Sequence, residues 1–157
     1  MIVLARGNYK QGWYQPENPD KWLLPESSIT NGRGIRFMSS WESRVFRFLD
    51  RNSGIIKIAS EPFPIPYKHP KDGKTHRYYP DILVKNKDGT KFLVEIKPLN
   101  QVEPPKKPKR WTEKAKNNYN EAILTYCINQ AKWKAAREFC EKHNLKFIII
   151  TEKELQI

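Results

Sequence analysis

From Ser39 onward the apolar residues of this chain switch between helical and strand-like spacing. In "SSWESRVFRFLDRNSG", Trp41, Val45, Phe48 and Leu49 recur at helical intervals with Arg44, Arg47 and Arg51 opposite, which predicts an amphipathic helix ending near Asn52-Ser53-Gly54. "IIKIAS" and "FPIPYK" read as strand with proline interruptions, which suits an edge or a bend. A polar loop, "HPKDGKTH", leads into "YYPDILVKNKDGTKFLVEIKP", two apolar runs around a turn signal. The following "PLNQVEPPKKPKRW" is too rich in Pro and Lys for a helix or a central strand and reads as a basic crossover. Ala115, Tyr119, Ala122, Ile123, Tyr126 and Cys127 then form a helical stripe, and a break near Asn129 is expected to start a second helix with Trp133, Ala136, Phe139 and Cys140 inward. "LKFIIIT" is a continuous β-branched run, typical of a strand covered on both faces.

Residues 1–38, rich in Gly, Pro, Asn and Trp, show neither period. They read as an extended N-terminal arm, with residues 39–157 as the folded domain. Trp13, Trp22 and Leu23 are expected to dock on protein rather than on a ligand. Sequence-adjacent strands pair antiparallel through hairpins, whereas the last strand returns through helices and can lie parallel to a neighbour. The element order therefore predicts an α/β fold, a mixed sheet flanked by helices.

The turn inside the hairpin decides where its charges point. A two-residue loop at Asp88-Gly89 sets Asp81 on the face away from Glu95 and Lys97. A type I turn over Asn86-Lys87-Asp88-Gly89, with Gly89 left-handed, instead pairs Asn86 with Thr90 and sets Asp81 opposite Glu95, with Lys97 on the same face. Asn first, Asp third and Gly fourth favour the second register. Ile82, Val84, Phe92, Val94 and Ile96 then form the opposite, core face.

Two facing carboxylates repel unless a counter-charge joins them. A hard divalent cation such as Mg²⁺, bound by Asp81, Glu95 and the backbone carbonyl of Ile96, supplies one, and Lys97 can orient a polarised water. The same residues also suit a structural salt bridge from Lys97 to both acids, and spacing does not separate the two readings. Glu42 projects from the same helical side as Val45, Phe46 and Leu49 and could lean over the sheet, but Ser39 three residues before it makes a capping box that alone accounts for an acid there.

Charge narrows the partner class. The chain's 29 Lys and Arg against 17 Asp and Glu, a net charge of +12, favour a polyanion. Lys106, Lys107, Lys109, Arg110, Lys114 and Lys116 concentrate in the crossover and the helix start after it, and Arg77 lies just ahead of Asp81, so these are the candidate DNA-backbone contacts. Nothing there encodes base readout. Cys127 and Cys140 lack zinc or disulfide spacing and are expected to be buried thiols. His69, His76 and His143 show no ligand spacing and read as ordinary loop or helix-end residues. "MIVLARGNYKQGWYQ" predicts neither a signal peptide nor a membrane span.

Pro80-Asp81 followed by Glu95-Ile96-Lys97, with Glu42 on a preceding helix, resembles the PD-(D/E)xK nuclease superfamily and its restriction-endonuclease-like αβββαβ core. "IRFMSSWESRVFRFLDRN", "SEPFPIPY", "HRYYPDI", "FLVEIKP" and "KWKAAREFCEKHNLKFIIITE" are similar to the head completion nucleases of T-even-like tailed phages, relatives of the transposon endonuclease TnsA, over roughly residues 35–155. The resemblance implies a metal-dependent DNA endonuclease (Mg²⁺, with Mn²⁺ tolerated) acting around DNA packaging and tail joining. It assigns Glu42 as the helix-borne acid, Asp81 and Glu95 as metal carboxylates and Lys97 as the catalytic lysine, and it matches Glu61 to a further acid that either supports the site from behind or only bonds nearby backbone. Double-stranded DNA is the implied partner, with portal or neck proteins and a second copy of the chain as further candidates and no membrane. The setting is the host cytoplasm during assembly, or the virion head or neck. A rival reading is a non-catalytic neck protein that binds packaged DNA or portal.

Overall fold

The computed structural model describes residues 10–23 and 32–156. The rest of the arm, residues 1–9 and 24–31, lies outside the described residues. Among these residues the principal sheet has the order β2-β4-β7-β8-β9, built from β2 (Trp22–Leu23), β4 (Ile55–Ser60), β7 (Ile82–Asn86), β8 (Lys91–Ile96) and β9 (Lys146–Ile150). β4, β7 and β8 run antiparallel in turn, and β9 lies parallel to β8. α1 (Ser40–Arg51) precedes β4, and the short α2 (Leu99–Val102) and long α3 (Glu113–Lys142) lie between β8 and β9, so the core order is αβββαβ. This is the mixed sheet and element order expected, and the parallel last strand follows from the helical return.

One face of the sheet is closed by α1, whose Val45, Phe46 and Leu49 pack with Ile58, Ile82, Val84, Val94 and Ile96. Phe46, not Phe48, completes the inward stripe: Phe48 is 65% exposed. At 100° per residue Phe46 falls beside Glu42, Val45 and Leu49, whereas Phe48 falls on the flank. There it lines a cleft of about 610 Å³ with Phe92, Ile148 and Leu155. The opposite face is closed by the C-terminal half of α3 and by a separate hairpin, β5 (Ile65–Lys68) and β6 (Thr75–Tyr78), which meet around Leu93, Trp133, Ala136 and Cys140.

α3 is one helix of 30 residues without a break at Asn129. Asn costs a helix only a fraction of a kcal/mol relative to Ala, about 0.7 at most, and no Gly or Pro interrupts the segment. Asn129, Trp133, Ala136 and Cys140 all lie buried along it. Cys127 is exposed, contrary to the expectation of a buried thiol, because it belongs to the half of α3 that precedes these buried positions.

The described part of the arm runs along the domain. β1 (Gly12–Tyr14) pairs with β3 (Ile35–Phe37), and β2 adds to the sheet beside β4. Tyr14, Trp22 and Ile35 enter the α1-side core, while Trp13 and Leu23 are 44% and 58% exposed. The anchor is Asp50, fully buried near the end of α1. Its carboxylate accepts from Tyr14 Oη (2.7 Å), Trp22 Nε1 (3.0 Å) and the backbone N–H groups of Glu17 (2.7 Å) and Asn18 (3.2 Å). Burial alone would push this carboxyl up, but the donors, led by Tyr14, outweigh it and hold Asp50 below its usual range.

Candidate active site

The hairpin register brings Asp81 and Glu95 together. Ile82 pairs with Val94 and Val84 with Phe92, which extends to Asp81 opposite Glu95. Asn86 and Thr90 close the loop, with Asn86 N–H donating to Thr90 O at 2.9 Å and Gly89 N–H to Asn86 O at 3.1 Å. Gly89 has φ +88°, a region that costs any residue with a Cβ, so its identity holds the three-residue loop.

Each acid is held by a specific donor. Asp81 Oδ2 accepts the Ile96 backbone N–H at 2.7 Å. The carbonyl of Asp81 accepts the N–H of Glu61 at 2.8 Å, and Glu61 adopts φ +43° to deliver it. Glu95, 3% exposed, accepts the hydroxyl of Tyr78, and Lys97 Nζ stands 3.8 Å from its Oε1. Burial, and for Asp81 the neighbouring Glu95 charge, raises both carboxyls above their ordinary range. Tyr78 is itself pushed up by burial and by Glu95, so it stays a proton donor.

Glu42 lies in the first turn of α1 and is bonded at the helix entry. Ser39 Oγ caps α1 by accepting Glu42 N–H at 3.2 Å, and the Glu42 carboxylate reaches back to Met38 N–H at 2.9 Å. Burial raises the Glu42 carboxyl, with opposing fields from Glu61 and Lys97, and its charge also acts on Asp81. Glu42 therefore stands within electrostatic range of the site and is hydrogen-bonded to its own helix entry.

Three neighbours of the acids are not among the expected site residues: Lys132, Trp133 and Tyr78. Lys132, on α3, lies 5.8 Å from the ring centroids of both Tyr67 and Tyr78. Burial lowers its ammonium, as does Lys97, and the charges of Glu95 and Asp81 oppose this. In "NQAKWKAA" it resembles any surface lysine, and only the packing of α3 against the β5–β6 hairpin reveals it. Trp133, 1% exposed beside it, has an indole N–H that bears on Glu95 without meeting hydrogen-bond geometry. Tyr78, just ahead of Asp81, is buried, and its hydroxyl serves Glu95 directly.

The candidate DNA contacts Arg77, Lys106, Lys107, Lys109, Arg110, Lys114 and Lys116 are all exposed. Lys106 to Arg110 precede α3, whose first turn is capped by Thr112 Oγ1 accepting Ala115 N–H at 3.1 Å. His69 and His76 are not isolated loop residues: the β5–β6 hairpin sets them beside each other and Asp72.

The hairpin thus sets a half-buried Asp81 against a buried Glu95, with Lys97 beside them, on an αβββαβ scaffold. Residues 52–152 match the family described as TnsA-like endonuclease N terminal, and the chain belongs to that family. It is similar to the head completion nuclease of Enterobacteria phage T4, with 40% identity over 138 residues that span 87% of this chain and 92% of that protein.

Proposed function

We propose that this chain is a divalent-metal-dependent endonuclease of the PD-(D/E)xK type that hydrolyses phosphodiester bonds of double-stranded DNA. By its similarity to a head completion nuclease, it acts in phage head completion after packaging, in the host cytoplasm, with portal or neck proteins and a second copy as candidate partners. The carrying observation is the register that sets Asp81 against Glu95 with Lys97 3.8 Å away. Two facing carboxylates, Glu95 buried and Asp81 half-buried, both with raised pKa, form an all-oxygen donor set suited to a hard cation such as Mg²⁺ or Mn²⁺. Asp81, Glu95 and the Ile96 carbonyl would hold the ion, with Glu42 as an outer acid. When bound, the ion supplies a polarised water and neutralises charge on the phosphate.

The chain's own groups do the positioning. Ile96 N–H and the Glu61–Asp81 backbone bond fix Asp81, and Tyr78 fixes Glu95. Lys97 orients the attacking water and stabilises developing charge, with Lys132 as a second cation behind it. The exposed basic crossover tracks the DNA backbone. Supercoiled DNA should be nicked in the presence of Mg²⁺ or Mn²⁺ and left intact with a chelator. Asp81→Asn or Lys97→Ala protein that remains folded yet cleaves as fast as wild type overturns the site. If Asp81→Asn also restores infectious particles in a phage lacking the protein, the non-catalytic neck reading stands instead.

A further inference from the structure

The β5–β6 hairpin brings together three side chains with metal-donor atoms, His69, Asp72 and His76. Its strands pair Tyr67 with His76 and Lys68 with Thr75. His69 N–H donates to Lys74 O at 2.9 Å, and Gly73, with φ +67°, donates back to His69 O at 2.8 Å. This tight turn lays the His69 ring on that of His76, with centroids 4.4 Å apart and planes at 34°. Both rings stand 6.0 Å from Tyr67, and the His69 side chain is only 15% exposed. Asp72 closes the group, its Oδ2 lying 2.8 Å from His76 Nε2 and its Oδ1 3.9 Å from His69 Nδ1. One ligand atom from each residue lies within 4.8 Å of the other two.

We propose that His69, Asp72 and His76 form a site for a borderline divalent cation such as Zn²⁺, separate from the Asp81–Glu95 centre, which ties the hairpin turn together. Two imidazole nitrogens and a carboxylate are a donor set for a d-block ion, whereas Mg²⁺ prefers oxygen and retained water. Zinc–ligand bonds of about 2.0–2.1 Å in a tetrahedral shell place neighbouring donors about 3.3 Å apart. The 2.8 and 3.9 Å separations, each to a different Asp72 oxygen, straddle that spacing, and all three donors lie within 4.8 Å of one another.

Asp72 is ready as an anion: the Lys74 N–H at 2.9 Å, followed by His76, holds its carboxyl below the usual range. Binding through His69 Nδ1 displaces the bond this atom accepts from Lys71 N–H at 3.2 Å. Lys68, Lys71 and Lys74 are exposed around the turn and oppose any cation. Occupancy therefore depends on imidazole coordination rather than on net charge, which further disfavours Mg²⁺. The consequence reaches the nuclease centre through β6. His76 lies two residues before Tyr78, whose hydroxyl holds Glu95, and a two-stranded hairpin by itself is only marginally stable.

The test is calorimetric titration of metal-stripped, full-length protein with ZnCl₂, on wild type, the Asp81→Asn/Glu95→Gln double variant, His69→Gln and His76→Gln. One Zn²⁺ per chain should bind the double variant, and wild type should show a site of the same affinity, reduced at least tenfold in either histidine variant. Zinc affinity unchanged in both histidine variants, or lost in the double variant, overturns the proposal. NMR of the wild-type imidazole signals guards against misfolding of a variant: stoichiometric Zn²⁺ should shift His69 and His76 while MgCl₂ leaves them unmoved, and an absence of zinc-induced shifts also overturns it. Because the double variant removes the nuclease acids, failure of the nuclease reading leaves this outcome untouched.

Discussion

Asp81 and Glu95 carry like charge on adjacent strands, and burial raises both carboxyls. The native state therefore holds protons that the unfolded chain would release, so without metal its stability falls as pH rises through the raised range. Asp81→Asn removes one of the repelling charges and keeps an acceptor for Ile96 N–H. It should raise the melting temperature of metal-free protein, by about 1 kcal/mol of stability, while lowering cleavage about 100-fold or more. Differential scanning calorimetry and a nicking assay on the same sample check both. A metal must displace the same protons, so cleavage and metal affinity should climb with pH through that range; a flat profile contradicts the coupling. Lys132→Ala should slow cleavage by about 10- to 100-fold with DNA affinity little changed, because it acts at the acid pair rather than along the DNA track.

At the scale of elements, a turn residue and a helix end each position a much larger part. Gly89 meets no neighbouring atom that a Cβ would strike, so a substitution there tests backbone conformation alone. Gly89→Val should cost about 1–2 kcal/mol and shift the β7–β8 register, abolishing cleavage with every acid still present, whereas Gly89→Asn, tolerant of positive φ, should retain it. Backbone NMR can follow the Asn86–Thr90 pairing in both variants. Asp50 plays the corresponding part for the arm, since Asp50→Ala strands the Tyr14 and Trp22 donors. The loss should be about 3 kcal/mol. Its depressed pKa contributes stability that is present above the unfolded value of about 3.9 and disappears as pH falls through the folded one. Protease cutting within residues 10–23 should therefore rise at strongly acid pH in wild type and already at neutral pH in Asp50→Ala.

Across the whole molecule, a net charge of +12 and an exposed basic crossover support backbone recognition with little base readout. DNA affinity should fall steeply with salt, and replacing Lys106, Lys107, Lys109 and Arg110 with Gln should reduce the slope of log K against log salt by roughly 0.9 for each phosphate that is no longer neutralised. A filter-binding series from low to moderate salt measures it, and an unchanged slope places the DNA elsewhere. No helix among the described residues is long and apolar enough to cross a membrane.

The alternation of apolar residues and the Asn86–Gly89 turn chemistry determined, without any structure, the αβββαβ order and the meeting of Asp81 with Glu95. Both are local: periodicity sets the buried face of an element, and a short loop sets the register of the strands beside it. Phe46, Lys132 and Asp50 were not legible in the same way. Phe46 has the helical phase of Val45 and Leu49, but with Phe48 equally apolar beside it only the packed core shows which of the two is buried. Lys132, 35 residues after Lys97, acquires its place only when α3 packs on the β5–β6 hairpin. Asp50 appears as an ordinary acid near a helix end until Tyr14 and Trp22, from 36 and 28 residues earlier, give it their donors. The sequence alone thus determined the elements and the acid pair. Only tertiary packing decided what buries, orients and balances those acids, because desolvation and long-range hydrogen bonds exist only once distant segments meet.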